Sequence, residues 1–179
     1  MNARESRLFE IKKSAIAGKG VFAKKEIRKG QRITFLRGER CTLETMLKRV
    51  IAGKEKGSDP LGIDDEVYLD LEETARTFNH SCGPNAYVQK KNELVALRTI
   101  HAGEEITYDY STTMNDNKQK INAAGRRLWK CKCYCGSKNC RGIINQFKTL
   151  PKKRQLYYIK NKFMPDFMLN AFKPHSRTK

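Results

Sequence analysis

The sequence predicts a mostly β domain with short helices, carrying a small metal-bound module near its C-terminal end. Three observations lead there. Short β-branched and apolar runs recur between Gly, Asn and Lys turn signals. Helical spacing of apolar residues is kept in only two stretches, near 43–51 and 152–163. Four of the six cysteines crowd into residues 131–140.

The chain has 179 residues, 39% of them hydrophobic and 31% charged. That suffices for one domain with a real core and a heavily charged surface. No apolar run reaches the roughly 20 residues of a membrane span. Residues 1–7 lead into no apolar signal segment. The expectation is a cytoplasmic protein with no membrane partner.

Residues 8–38 read as short strands joined by tight turns. Ala17-Gly18-Lys19-Gly20-Val21-Phe22-Ala23 sets two glycines before an apolar strand start. Glycine there lets a ligand or another backbone approach closely. Lys29-Gly30-Gln31 reads as a second turn, followed by a strand over 33–36. The stretch 42–52 is the clearest helix. Thr42 suits its N-cap, Leu43, Met46, Leu47, Val50 and Ile51 make one apolar face, and Gly53 can end it.

Residues 54–60 read as a loop and 66–70 as a strand. Strands at 86–88 and 94–97 flank a Lys91-Asn92 turn, and 105–110 has strand composition. The polar stretch 112–125 predicts a flexible connection. Pro151 can start a last helix with Leu156, Ile159 and Phe163 on its apolar stripe. Pro165 breaks it, and 171–179 reads as a tail.

Residues 78–85, Phe-Asn-His-Ser-Cys-Gly-Pro-Asn, fit neither helix nor strand. Amide, imidazole, hydroxyl and thiol groups crowd around a Gly-Pro break, which points to a site rather than a mere connection. Cys133-x-Cys135-x4-Cys140, with Gly136 between, has metal-site spacing, and zinc takes four ligands, often thiolates. The fourth ligand is left open between Cys131, near in sequence, and Cys82, far from it.

Charge is uneven. Residues 120–179 carry 16 Lys or Arg and one acid, Asp166, whereas residues 1–119 carry 21 basic and 18 acidic residues. The basic third suits nucleic acid, an anionic surface or an acidic partner, or else a solvated face. Residues 59–73 hold Asp59, Asp64, Asp65, Glu66, Asp70, Glu72 and Glu73 with no Lys or Arg.

Four motifs then occur in order: Gly-Lys-Gly-Val-Phe-Ala at 18–23, Asn-His-Ser-Cys-Gly-Pro-Asn at 79–85, Gly-Glu-Glu-Ile-Thr-Tyr-Asp-Tyr at 103–110, and Cys-Tyr-Cys-Gly-Ser-Lys-Asn-Cys-Arg-Gly at 133–142. Together they resemble the SET-domain protein lysine methyltransferases with a post-SET zinc module, over about residues 8–150. The chain is most similar to the compact bacterial and viral type. The resemblance implies a SET fold, small β-sheets around a knot-like crossing. It divides the chain into a catalytic domain at 1–111, a flexible connection at 112–130, a post-SET module at 131–147, and a helix with basic tail at 148–179.

It further implies methyl transfer from S-adenosylmethionine to a lysine amine. Tyr110 would be the catalytic tyrosine, and Tyr108 would limit transfer to one or two methyls. Ala17, Lys19, Gly20, Arg76, Phe78, Asn79, His80, Tyr110 and Ile144 would bind the cofactor, with Trp129 a further cover for its adenine. Cys82, Cys133, Cys135 and Cys140 would hold a structural zinc, with Cys131 spare, and Asn85 would brace the crossing. Leu36 stands where the family commonly has a tyrosine near the substrate.

The implied partner is a basic protein or peptide, such as a histone or histone-like protein, steered by some of Asp64, Asp65, Glu66, Glu72 and Glu73. DNA contact through the basic third and self-methylation of the Lys-rich tail belong to the same reading. Delivery as an effector to a host nucleus is the alternative to a cytoplasmic site. The rival function is a catalytically inactive, zinc-stabilised nucleic-acid-binding module.

Overall fold

The structure, a computed structural model, describes residues 5–54, 56–57 and 59–173. Short strands dominate it. After a single helical turn, α1 (Glu5–Leu8), β1 (Phe9–Lys13) pairs antiparallel with β2 (Lys19–Ala23). A three-stranded sheet follows the order β3 (Arg32–Phe35), β8 (Glu93–Ala96), β7 (Ala86–Gln89). A second one follows the order β4 (Gly38–Thr42), β6 (Val67–Leu71), β5 (Pro60–Asp64). All pairings within these sheets are antiparallel. Between β6 and β7 the chain makes one more helical turn, α3 (Glu73–Arg76).

The predicted first helix is present as α2 (Leu43–Ile51). The Thr42 hydroxyl accepts the Thr45 N–H, as its N-cap position requires. Leu43 and Met46 are buried and pack with Cys41 and Tyr68 of the neighbouring sheet. The main core gathers Phe9, Val21, Ile27, Ile33, Leu36, Leu61, Leu69, Phe78, Leu94 and Ile106 from the three sheets and the loops between them.

Residues 105–110, expected as a strand, do not join a ladder. They make isolated bridges instead, Phe22 with Glu105 and His80 with Tyr108. The reason lies in their partners. Ile106 N–H donates to Val21 O at 2.7 Å, Thr107 O accepts from Ala86 N–H at 3.0 Å, and Tyr108 O accepts from Ser81 N–H at 3.1 Å. The backbone groups are satisfied, but by several different segments. Segments 79–86 and 105–110 thus lie side by side, as the expected crossing requires.

Asn85 holds that crossing. Its Nδ2 donates to Glu105 O at 2.8 Å and its Oδ1 accepts from Thr107 N–H at 2.9 Å. The amide thereby copies the donor and acceptor of a backbone unit at a buried position.

The C-terminal part departs from expectation. Residues 112–130, expected as a flexible connection, carry α4 (Lys118–Ala123), capped by Asn117, with Ile121 buried against the α2 cluster. The Cys-rich stretch is drawn together by β9 (Cys131–Lys132) and β10 (Ile143–Ile144). The last predicted helix is α5 (Lys152–Asn161). Its inward residue is Tyr158, 1% exposed, whereas Leu156 of the expected stripe is 51% exposed. Pro165 opens another helix, α6 (Asp166–Phe172), so 171 and 172 are helical rather than tail. Proline suits a helix start because the missing N–H has no partner there in any case. Phe147, Leu150, Tyr158, Met164, Met168 and Leu169 form a second core that joins both helices to the body. The rest of the expected tail, 174–179, lies outside the described residues. No described helix is long and apolar enough to cross a membrane.

Replacing Asn85 with Ala removes two hydrogen bonds at once and strands the Thr107 N–H in a dry interior. The expected loss is about 3 kcal/mol of unfolding free energy, read by urea denaturation. A loss near zero would mean that Asn85 does not brace the crossing.

Candidate active site

The crossing brings most of the singled-out residues to one place. A cavity of about 610 Å³ is lined by Ala17, Gly18 and Lys19 from the turn before β2, Arg76 and Thr77 after α3, Asn79 and His80, and Tyr110. Trp129, Cys131, Tyr134 and Ile144 supply its other wall. Apolar and aromatic groups therefore stand opposite a charged end formed by Lys19, Lys56, Asp59 and Arg76. That mixture suits a nucleoside joined to an amino-acid tail, as in S-adenosylmethionine.

Two expected cofactor residues lie elsewhere. The Phe78 ring is buried in the core, edge-on to Phe9 at 5.5 Å. Gly20 is buried beside the cavity, and its missing Cβ leaves room for a different neighbour. A Cβ there would lie 2.2 Å from Oε1 of Glu105. That carboxylate accepts from the Ser14 hydroxyl at 2.9 Å and from Asn79 Nδ2 at 2.7 Å. Asn79 Nδ2 also reaches the carbonyls of Ala17 and Lys19, at 3.2 and 3.0 Å. Asn79 thus shapes the glycine turn as well as lining the cavity. Of the two glycines, only Gly20 has the expected close approach, and a side chain uses it; Gly18 serves a left-handed turn at φ +48° with open space around it.

A second cavity, about 300 Å³, has largely apolar walls: Leu43, Met46, Leu47 and Val50 of α2, Pro60, Tyr68, Tyr108, Tyr110 and Ile121. Tyr110 and Trp129 line both cavities. The indole fits tightly because residue 57 is Gly, where a Cβ would be 2.4 Å from Trp129 Cδ1. Tyr110 donates its hydroxyl hydrogen to Phe78 O at 2.7 Å, and its N–H donates to His80 Nδ1 at 3.2 Å. Desolvation holds its hydroxyl protonated well above the ordinary tyrosine range. Tyr108 packs against it, ring centroids 4.8 Å apart. The Tyr108 hydroxyl has no protein partner among the described residues, although the residue is buried. A buried hydroxyl in that state calls for a water or a ligand. Leu36 is fully buried in the main core and reaches neither cavity.

The cysteine question resolves toward the distant residue. The sulfurs of Cys82, Cys133, Cys135 and Cys140 all lie within 4.8 Å of one another, and Cys82 and Cys133 are 3.7 Å apart. Tetrahedral zinc with four thiolates needs sulfurs about 3.8 Å apart. Backbone N–H groups already point at the sulfurs: Cys82 N–H at Cys135, Arg141 N–H at Cys82, and Gly142 N–H at Cys140. Without a cation, burial would push the Cys82 thiol up to about 11. The donor set therefore fits a structural zinc. Cys131 stays outside it and lines the larger cavity.

His80 stands between the metal set and Tyr110. Burial lowers its pKa to about 4, so the ring is neutral near pH 7. Its Nδ1 accepts from Tyr110, which assigns the ring hydrogen to Nε2, 3.3 Å from Cys82 Sγ. Next to it sits Asp109, which the sequence reading did not single out. Arg141 grips Asp109 through two bonds of 2.8 Å, and the Tyr158 hydroxyl donates to it at 2.9 Å. Asp109 and Arg141 were visible inside quoted motifs. Tyr158 had no sequence signal beyond its helix.

The acidic strip is partly used within the protein. Asp70 is buried between Arg49 and Arg76, Asp59 pairs with Arg76 at 3.7 Å, and Glu66 pairs with Lys120. Asp64, Asp65, Glu72 and Glu73 are exposed.

Metal content separates the cysteines. Cys82→Ser should lose zinc as fully as Cys140→Ser, measured by elemental analysis of purified protein, while Cys131→Ser retains it. Retention in Cys82→Ser would break the long-range ligand assignment.

Comparison with known proteins agrees with this geometry. The SET domain family matches residues 18–111. Trithorax of Drosophila virilis, a histone-lysine N-methyltransferase, is 34% identical over 145 residues, covering 74% of this chain and 4% of its own length. Human histone-lysine N-methyltransferase 2B is 33% identical over 75% of this chain and 5% of its own length. Histone-lysine N-methyltransferase TRX1 of Oryza sativa is 32% identical over 83% of this chain and 15% of its own length. The chain thus spans a small fraction of these curated relatives. Among solved structures, the methyltransferase domain of human SETMAR superposes with a TM-score of 0.61 at 23% identity, over 77% of this chain and 58% of that one. Because the SET-domain match at residues 18–111 takes in more than half of the 179 residues, this chain belongs to the SET-domain family.

Proposed function

We propose that the protein methylates a lysine of a basic protein, using S-adenosylmethionine as methyl donor. One observation carries this reading: Tyr110 lines two separate cavities, one mixed in character and one largely apolar. A donor in the first and a lysine in the second would meet at its ring. When bound, the cofactor supplies an electrophilic methyl on a positive sulfur.

The residues of the chain do the rest. Lys19 and Arg76 would bind the donor's carboxylate, and Asp59 its ammonium group. Trp129 and Ile144 would exclude water from its base. Met46, Tyr108 and Tyr110 desolvate the lysine, which favours its neutral, nucleophilic form over the ammonium near pKa 10.4. The attack then needs alignment more than acid–base help. The Tyr108 hydroxyl, lacking a protein partner, would hold the amine or a water beside it and so limit transfer to one or two methyls.

A basic partner is supported by the exposed carboxylates Asp64, Asp65 and Glu72; Glu73 is exposed as well but faces Lys19 at 4.0 Å. A histone or histone-like protein has the right chemistry, and such proteins carry nucleic acid. Among the described residues, 14 Lys or Arg lie at 120–173, and only Lys120 and Arg141 have carboxylate partners. The cations without a carboxylate partner suit contact with the phosphates of DNA beside the substrate. Methylation of the protein's own Lys-rich end would follow from the same chemistry. The intact Tyr110, Asn79 and His80 weigh against an inactive nucleic-acid-binding module.

Tyr110→Phe should lower turnover by about 10²-fold and leave cofactor affinity nearly unchanged, measured with labelled S-adenosylmethionine and a panel of basic proteins. Absence of both cofactor binding and methyl incorporation in the native protein would overturn the enzyme reading. Tyr108→Phe should raise the number of methyls per lysine, read by mass spectrometry. An unchanged count would remove its limiting role.

A further inference from the structure

The buried carboxylate of Asp109 is the meeting point of three parts of the chain that lie far apart in sequence. Its Oδ1 accepts from Arg141 at 2.8 Å and from the Ser111 N–H at 3.1 Å. Its Oδ2 accepts from the other arm of Arg141 at 2.8 Å and from the Tyr158 hydroxyl at 2.9 Å. A carboxylate offers about four acceptor positions, and all four are filled. His80 Nδ1 lies 3.6 Å from the same group.

Each partner leads to a different function. Ser111 follows Tyr110 in the 3₁₀ turn at Tyr110–Thr113, so the Asp109–Ser111 bond fixes the backbone on which the Tyr110 ring stands. Arg141 follows the thiol ligand Cys140, and its own N–H points at Cys82 Sγ at 3.4 Å. Tyr158 comes from α5, outside the residues that match the SET domain.

The Tyr158 ring is held on several sides. Phe147 lies 6.5 Å away, Tyr157 5.6 Å, and the Arg154 guanidinium sits over its face at 5.9 Å. Burial together with the Asp109 charge keeps its hydroxyl protonated, and hence a donor. The surrounding residues do not need that hydroxyl for packing. Among the described residues the Tyr158 hydroxyl makes one hydrogen bond, to Asp109.

We infer that Tyr158 is a positioning residue for methyl transfer, and that α5 is therefore part of the active site rather than an appendage. It acts through Asp109, setting the height and tilt of Tyr110 between the two cavities and clamping the zinc module to the same carboxylate. It touches neither cavity, so its effect should fall on the chemical step and not on ligand affinity. This inference rests on the methyltransferase reading.

Tyr158→Phe keeps the ring and removes only the bond. With a lysine substrate established for the native protein, single-turnover transfer in this variant should slow by about tenfold, while KM for the peptide, cofactor affinity and zinc content stay within twofold. A purely structural residue would lower the melting temperature and leave the rate of the folded fraction unchanged. Arg141→Lys, which keeps the charge but breaks the paired bonds, provides the second variant. Its rate loss should be less than additive with that of Tyr158→Phe, because both act through one carboxylate. A Tyr158→Phe rate within twofold of native, or strictly additive losses, would overturn the inference. A native protein that transfers no methyl would instead overturn the function on which it rests.

Discussion

Segments 79–86 and 105–110 are joined by single backbone bonds and side-chain amides without forming a sheet, and the rest of the site depends on that. A buried backbone group left without a partner costs as much as several favourable contacts return. Here the missing ladder is replaced by single bonds between irregular segments and by two asparagine amides. Asn85 bridges Glu105 and Thr107, while Asn79 ties the glycine turn to Glu105. Because these side chains stand in for backbone, few other residue types can occupy the positions. The same constraint places His80, Cys82, Tyr108 and Tyr110 within a few ångströms of one another.

A division of labour follows. The side of the crossing toward β2 is polar at one end and aromatic at the other. The side toward α2 is largely apolar, with one unpartnered hydroxyl. Tyr110 stands between them, anchored at its hydroxyl by Phe78 O and at its backbone by His80. The thiol cluster begins at Cys82 inside the crossing and ends at Cys140, so the four sulfurs and the wall formed by Trp129, Cys131 and Ile144 belong to one assembly. Asp109 adds the C-terminal helices to it.

Much of this was legible in residue types. Gly18 and Gly20, Asn79 to Asn85, and Cys133 to Cys140 are local motifs whose chemistry shows in a short window, and α2 has a clean period and cap. What was not legible depended on distant partners. Residues 105–110 have strand composition, but a ladder needs neighbours that only the tertiary fold provides. Phe78 and Gly20 stand next to cavity residues in sequence, yet one faces the core and the other yields space to Glu105. The stripe in α5 was read from Leu156, whereas the helix turns Tyr158 inward to meet a carboxylate 49 positions away. Pro165 predicts a stop, yet proline can end one helix and open another, and here it opens α6. Spacing alone leaves Cys82 and Cys131 both open as the fourth thiol; the family resemblance implies Cys82, and the sulfur distances agree with it.

The central claim is that donor and lysine reach Tyr110 from different cavities. The most direct measurement is a crystal structure with S-adenosylhomocysteine and a lysine peptide bound together. The expected result places the nucleoside against Ala17, Lys19 and His80, and the lysine side chain between Met46, Tyr108 and Tyr110, with amine and sulfur on a line past the Tyr110 ring. Both ligands entering from one side, or a nucleoside seated among the α2 residues, would contradict it.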